Sequence, residues 1–179
     1  TKGVSKDSIT CKVDGVLTDL SAQLSNDCDL QFMDAKSKDG HSVLLHSTAH
    51  LMAQAVKRLF PKTKVTIGPY LENRFYYDFD VETPFSEEDL TKIEEEMAKI
   101  SNENLEIIQE VKSRNEALSF FNKIGEDYKV EIINDLDKDE TLKVYSQGEF
   151  TDLCRGPHVP STGLIKHFKL LSSSAAYWR

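Results

Sequence analysis

His41-Ser-Val-Leu-Leu-His46-Ser-Thr-Ala-His50-Leu-Met-Ala-Gln-Ala-Val-Lys-Arg-Leu-Phe60 is the stretch whose reading decides the fold. Leu44, Leu45, Leu51, Met52, Ala55, Val56 and Leu59 recur at helical spacing and give one wide apolar face. Pro61 closes the pattern. A helix with so broad a face must be buried against other elements, and the flanking sequence supplies mostly short strands. His46 and His50 are four residues apart, so they project from the same side of this helix.

Upstream, Ile9 to Val13 alternates, Asp14-Gly15 is a hairpin signal, and Val16 to Leu20 reads as the return strand. Leu30 to Met33 reads as a third strand, and Ala35 to Gly40 as a linker. Downstream, Lys64 to Ile67 and Phe75 to Asp80 read as strands around a Gly68-Pro69 turn. Ser86 to Asn104 is a charged amphipathic helix with a capping residue and an acidic first turn. Leu105 to Val111 follows as a strand. Ser113-Arg-Asn-Glu116 is a capping box opening a short helix that ends near Gly125. Tyr128 to Leu136 fits helix or strand. Leu142 to Tyr145 and Glu149 to Leu153 read as paired strands, and Leu164 to Leu171 as a last apolar strand. These elements predict an α+β fold, a mostly antiparallel sheet with packed helices, because the connections are too short for repeated parallel crossovers.

The chain has 179 residues, enough for one good core or for a domain with a small appendage. No apolar run approaches the roughly 18 residues of a membrane helix, so no membrane partner is expected. Thr1-Lys-Gly-Val4 lacks the apolar segment of a signal peptide and reads as a cut end. The net charge of −8 argues against a protein that coats nucleic acid generically, while leaving room for a specific RNA partner. Cys11, Cys28 and Cys154 are odd in number and widely spaced, which suggests no disulfide framework and a reducing, cytoplasmic setting.

Four of the eight His and Cys residues fall in two motifs of one grammar, His46-Ser-Thr-Ala-His50 and Cys154-Arg-Gly-Pro-His158. Gly156-Pro157 forbids a regular helix, so the second pair belongs on a turn. Three imidazoles and a thiol either bind zinc or position a water for hydrolysis. Four protein ligands would close a tetrahedral shell, so full ligation implies a structural zinc, and catalysis implies fewer ligands or no metal. Asp152 lies two residues before Cys154 and would share its face on a strand. Taken alone it reads as a solvated carboxylate. Arg155 suits a phosphate or a neighbouring carboxylate. Lys129, between Tyr128 and Val130, reads in isolation as a snorkelling surface lysine, and Tyr76-Tyr77-Asp78 as aromatic core packing. His41 and His167 read as surface or structural residues, Cys11 and Cys28 as packing, and Glu94-Glu95-Glu96 as a solvated helix face.

Together, His46-Ser-Thr-Ala-His50-Leu, Ile67-Gly-Pro69, Phe75-Tyr-Tyr-Asp78, Asp152-Leu-Cys-Arg-Gly-Pro-His158 and Ala176-Tyr-Trp-Arg179 closely resemble the N-terminal editing region of threonyl-tRNA synthetases. The resemblance covers residues 39–179, and residues 1–38 resemble part of the small β-grasp (TGS-type) domain and linker that precede it. It implies the fold of the synthetase second additional domain, and hydrolysis of serine mischarged onto threonine tRNA. By the same resemblance His46, His50, Cys154 and His158 line the pocket and order the attacking water and terminal ribose. Lys129 is then the catalytic lysine, Asp152 holds the seryl ammonium, and Tyr77 contacts the terminal adenosine or shapes the wall. No cofactor is then required, although alanyl relatives bind zinc at the matching site. The partners implied are the serine-bearing acceptor end of threonine tRNA and the rest of a synthetase chain, whose aminoacylation and anticodon-binding parts are missing here. Two other readings stay open: a zinc-stabilised tRNA-binding appendage without activity, and a deacylase for alanyl- or D-aminoacyl-tRNA. Lys129→Ala and His46→Ala are expected to slow hydrolysis without unfolding the domain.

Overall fold

The computed structural model describes residues 6–174. The Thr1-Lys-Gly-Val4 and Ala176-Tyr-Trp-Arg179 segments lie outside them. Ser8–Val13 (β1), Val16–Thr18 (β2) and Leu30–Asp34 (β3) form an antiparallel sheet in the order β2-β1-β3. The β1–β2 turn is built on Asp14 and Gly15, both with positive φ, which suits the right-handed twist of a two-residue hairpin.

The central helix, α1, runs Lys38–Leu59. It therefore begins three residues earlier than the apolar pattern announced, and Lys38-Asp39-Gly40 is its first turn rather than a linker. Ser37 caps it by accepting a hydrogen bond from the Gly40 N–H. Gly40 is needed because a Cβ there would lie 1.9 Å from the Asp34 carbonyl oxygen, where the chain turns sharply out of β3. Both β1 and β3 pack on α1, and Ile9 shares a core with Val43, Leu51, Ala55 and Val56 of the helix.

The 64–80 region breaks into smaller pieces than the sequence suggested. Lys64–Val65 (β4) pairs with Phe79–Asp80 (β7), and Tyr70–Leu71 (β5) forms a short hairpin with Arg74–Phe75 (β6). Glu87–Glu103 (α2) starts in a capping box between Ser86 and Asp89 and ends at Asn104 in the left-handed conformation. It packs along α1 through Ile93, Met97 and Ile100, each fully buried. Full burial of such a side chain contributes about 1.5–3 kcal/mol.

Ile107–Lys112 (β8), Leu142–Gln147 (β9) and Phe150–Leu153 (β10) make the second antiparallel sheet, ordered β10-β9-β8. Between β8 and β9 lie Arg114–Ile124 (α3), opened by a Ser113/Glu116 capping box and stopped at Gly125, and Asp127–Asp135 (α4). The 128–136 ambiguity thus resolves as helix. This sheet is covered on both faces. Tyr145 and Phe150 join the core around α1, while Leu142 and Val144 join Ala117, Phe121 and Ile133 of α3 and α4.

The last expected strand is absent. Thr162–Leu164 is a 3₁₀ turn, and the following residues, to 174, form no ladder. They are strapped to α2 instead: Glu94 accepts from the Leu170 N–H and from Lys169, and Ser101 donates to the Ile165 carbonyl. Glu94 is therefore a clasp rather than a member of a purely solvated face. The described part is α+β with antiparallel sheets, as expected, and none of its helices is long and apolar enough to cross a membrane.

Candidate active site

α1 and the turn after β10 meet at the four residues of the paired motifs. The ligand atoms of His46, His50, Cys154 and His158 all lie within 4.8 Å of one another. The ring centroids are 4.8 Å apart for His46 and His50, 4.6 Å for His46 and His158, and 4.4 Å for His50 and His158. His158 Nε2 is 3.1 Å from Cys154 Sγ. The Gly156-Pro157 peptide is cis, and Gly156 adopts φ +64°. A Cβ on Gly156 would fall 1.9 Å from the Tyr145 hydroxyl, so only glycine fits between this turn and β9.

A second group stands behind His50. Odd positions of β9 and even positions of β10 face α1, and this alternation turns Asp152 inward beside Tyr145. Asp152 is 1% exposed, not solvated, and Lys129 is 2% exposed, not snorkelling. Lys129 Nζ lies 2.6 Å from Asp152 Oδ1, and also donates to the Thr66 carbonyl at 2.5 Å and the Tyr77 hydroxyl at 3.1 Å. Tyr77 in turn donates to Asp152 Oδ2 at 2.5 Å. The Leu153 N–H donates to Oδ1 at 2.7 Å, and His50 Nδ1 stands 3.5 Å from Oδ2. Tyr77 lies flat against Gly68, where a Cβ would sit 2.2 Å from its ring. Both single-residue readings fail for the same reason: each group supplies the counter-charge that makes burying the other tolerable.

Burial sets the electrostatics of the cluster. Desolvation lowers the pKa of His46, and lowers those of His50 and His158 well below 6.5, reinforced by neighbouring imidazoles. Burial, with the Asp152 charge nearby, pushes the Cys154 thiol up. Burial and Asp152 likewise raise Tyr77. At neutral pH the four are three neutral imidazoles and a thiol, groups that offer lone pairs and hydrogen-bond protons without charge. His46 alone of the three pocket histidines is half-buried, and it lines a cleft of about 250 Å³ with Val43, Pro69, Tyr70 and Gly156.

The donor set fits zinc in kind. Three imidazoles and a thiol are the borderline-soft ligands that Zn²⁺ takes, and they already face one another. Held by all four, the ion would have a closed shell.

Other site contacts had no signal in the sequence. Asp19, just after β2, accepts the His158 backbone N–H at 2.9 Å and the Tyr145 hydroxyl at 2.7 Å. The Tyr145 ring packs 4.5 Å from that of His158. Gln54 and Gln147 exchange amide hydrogen bonds behind α1, one reaching the His50 carbonyl at 3.4 Å. Arg155 points outward and pairs with Glu140 at 2.9 Å, the carboxylate option rather than the phosphate one.

Residues 142–176 match the family model described as the threonyl and alanyl tRNA synthetase second additional domain. The chain is 54% identical over 175 residues to a threonine–tRNA ligase of Symbiobacterium thermophilum, covering 98% of this chain and 27% of that protein. It is 55% identical over 177 residues to one of Pelobacter propionicus, covering 99% of this chain and 28% of the relative. With one of Fusobacterium nucleatum the identity is 51% over 183 residues, covering 99% and 30%. The chain thus spans a little over a quarter of the length of the relatives it matches. Sharing about half its positions with them along nearly its whole length, it belongs to the threonyl-tRNA synthetase family.

Proposed function

We propose that this pocket hydrolyses the ester of serine mischarged onto threonine tRNA. One observation carries the reading: a buried Lys129–Asp152 ion pair stands directly behind a wall of neutral imidazoles that opens through His46 to a cleft. Ester hydrolysis needs a water held by a hydrogen-bond acceptor and a positive group for the developing oxyanion. His46, nearest the cleft, is the acceptor for the water, and Lys129 supplies the charge. His50 and His158 complete the wall and hold the ribose. Cys154, kept as a thiol, shapes the pocket rather than carrying the acyl group. Three of the roughly four lone-pair positions on the Asp152 carboxylate are taken by Lys129, Leu153 and Tyr77. The seryl ammonium takes the remaining one, on Oδ2 beside His50. Tyr77 shapes the wall through its bond to Asp152.

The task follows from energetics. A synthetic site that binds threonine gains only about 1–3 kcal/mol from its extra methyl, too little to reject serine well. A second pocket that clashes with that methyl inverts the test. In this reading no metal is required, since four-fold ligation would leave no coordination position for water. If zinc binds, His46, His50, Cys154 and His158 hold it, and it supplies a cross-link between α1 and the turn. Residues 1–38 form part of a TGS-like unit and 39–179 the editing domain. The working partners are the acceptor end of threonine tRNA and the remainder of a synthetase chain, in the cytoplasm.

The test is deacylation of seryl- and threonyl-tRNA at enzyme excess, where rapid loss of serine with threonine spared is expected. A folded chain that hydrolyses neither ester sinks the proposal. Preference for alanyl or D-aminoacyl esters moves the activity to that deacylase class. Stoichiometric zinc, lost together with folding on chelation, favours an inactive, zinc-stabilised tRNA-binding appendage, the reading for which the four converging donors speak.

A further inference from the structure

Ser47 stands between the paired histidines, and the chemistry above gives it no task. It is completely buried, and its hydroxyl oxygen meets three polar atoms. These are the Val43 carbonyl at 2.8 Å, the Val159 N–H at 3.0 Å and His158 Nδ1 at 3.1 Å. A serine hydroxyl has one proton and two lone pairs. The Val159 amide can only donate, so it takes one lone pair. The Val43 carbonyl can only accept, so it takes the proton. Were that proton turned toward His158, two oxygens would face each other at 2.8 Å with no hydrogen between them. What remains for His158 is the second lone pair, and Nδ1 can use it only by carrying a proton. A neutral imidazole has one N–H, so Nε2 is the bare nitrogen.

The contact on the far side of the ring is compatible with this tautomer. Nε2 lies 3.1 Å from Cys154 Sγ. A bare Nε2 there can accept the S–H of the thiol.

We infer that Ser47 is a positioning residue that holds His158 in its Nδ1–H tautomer, so that the nitrogen facing Cys154 is a hydrogen-bond acceptor. The opposite tautomer would present an N–H there and leave the Ser47 oxygen with a lone pair facing a bare nitrogen. With the acceptor form fixed, rotation of the thiol frees Nε2 to receive a hydrogen bond from a water or a ribose hydroxyl. That catalytic consequence rests on the hydrolytic reading; the tautomer does not.

Long-range ¹H–¹⁵N correlation on the full chain with ¹⁵N-labelled histidine reads the tautomer directly, His158 being assigned by loss of its signal in His158→Gln. The expected pattern is a protonated Nδ1 and a bare Nε2. Ser47→Ala removes the acceptor, and the signal should move toward Nε2–H. Ser47→Thr keeps the hydroxyl and should restore the wild-type pattern. In deacylation, Ser47→Ala should lower kcat at least about tenfold with KM little changed, as for a group that acts in the transition state. An Nε2–H tautomer in the wild-type chain, or an unchanged tautomer in folded Ser47→Ala, overturns the inference; should that variant not fold, the wild-type spectrum decides alone. An Nδ1–H tautomer in a chain that hydrolyses no ester leaves the inference standing and removes the proposed function, and the reverse pair of results does the opposite.

Discussion

The two faces of the β8–β9–β10 sheet share a backbone and little else. Toward α3 and α4, Leu142 and Val144 meet Ala117, Phe121 and Ile133, with no polar atom in the cluster's side chains. Toward α1, Tyr145, Gln147 and Asp152 project from the same strands, and their polar atoms bond to Asp19, Gln54, Tyr77 and Lys129. Among the described residues no buried side-chain polar atom lacks a partner. The apolar face is held by non-directional burial, which tolerates adjustment. The polar face is held by matched pairs, where each group is costly without its neighbour. Strand alternation lets one sheet carry both, so the site gains a rigid directional wall backed by a separate stabilising core.

The largest effect should come from breaking the polar face at its ion pair. Lys129→Met leaves Asp152 buried without its counter-charge. Removal of one partner from a buried pair costs about 3–5 kcal/mol, so the early expectation that Lys129→Ala leaves the domain folded is too mild. Hydrolysis should fall by at least about 100-fold per folded molecule, because the positive charge behind the pocket wall that stabilises the developing oxyanion is lost. Adding Asp152→Asn should recover much of the stability, by denaturant titration, without recovering the rate. Recovery of both would show that Lys129 is structural only.

Phe121→Ala, on the other face, should cost a similar 3–5 kcal/mol through the cavity it leaves. The deacylation rate per folded molecule should stay within about twofold, because none of its neighbours in that core belongs to the pocket. A large loss of rate would mean that the two faces are coupled and that the comparison fails.

The faces should also part with pH. His50 and His158 are buried neutral, with folded pKa values well below the 6.5 of an exposed imidazole. Below 6.5 the unfolded chain binds protons that the folded chain refuses, so falling pH favours unfolding. Their contribution is complete above about pH 6.5 and is lost as pH falls from there through the depressed folded values. The denaturant midpoint should drop between about pH 6.5 and 5, and by less in His50→Gln. A midpoint equally pH-dependent in that variant assigns the effect to other groups.

The parts legible in the sequence are those encoded locally. The α1 face, the two capping boxes, the Asp14-Gly15 hairpin and the pairing around Gln147-Gly148 each rest on residues within a few positions of one another. Spacing alone also found His46, His50, Cys154 and His158. Lys129, Asp152 and Tyr77 were reached only through resemblance, since a charge reads as solvated until its partner, more than twenty positions away, is seen. The 164–171 segment shows the opposite error: its apolar residues look like a strand, but Glu94 of α2 takes the Leu170 N–H that a ladder would have used. Asp19 had no signal at all, because the bond it makes to the His158 backbone spans 139 positions.

Asp19 provides the smallest test and the one that separates geometry from charge. One of its oxygens accepts the His158 N–H and the other accepts the Tyr145 hydroxyl. In Asp19→Asn the side-chain oxygen still serves His158. The amide NH₂ meets Tyr145, whose hydroxyl can turn from donor to acceptor. If the polar face works by matched hydrogen bonds, this swap should cost about 1 kcal/mol or less and leave the deacylation rate within about threefold. Asp19→Ala leaves two buried donors without partners, at about 1–3 kcal/mol each, and frees the turn that carries Cys154 and His158. The two variants should therefore differ clearly in melting and in rate. If Asn is as damaging as Ala, the Asp19 charge itself matters, and the polar face is organised by its field rather than by the pairing of its donors and acceptors.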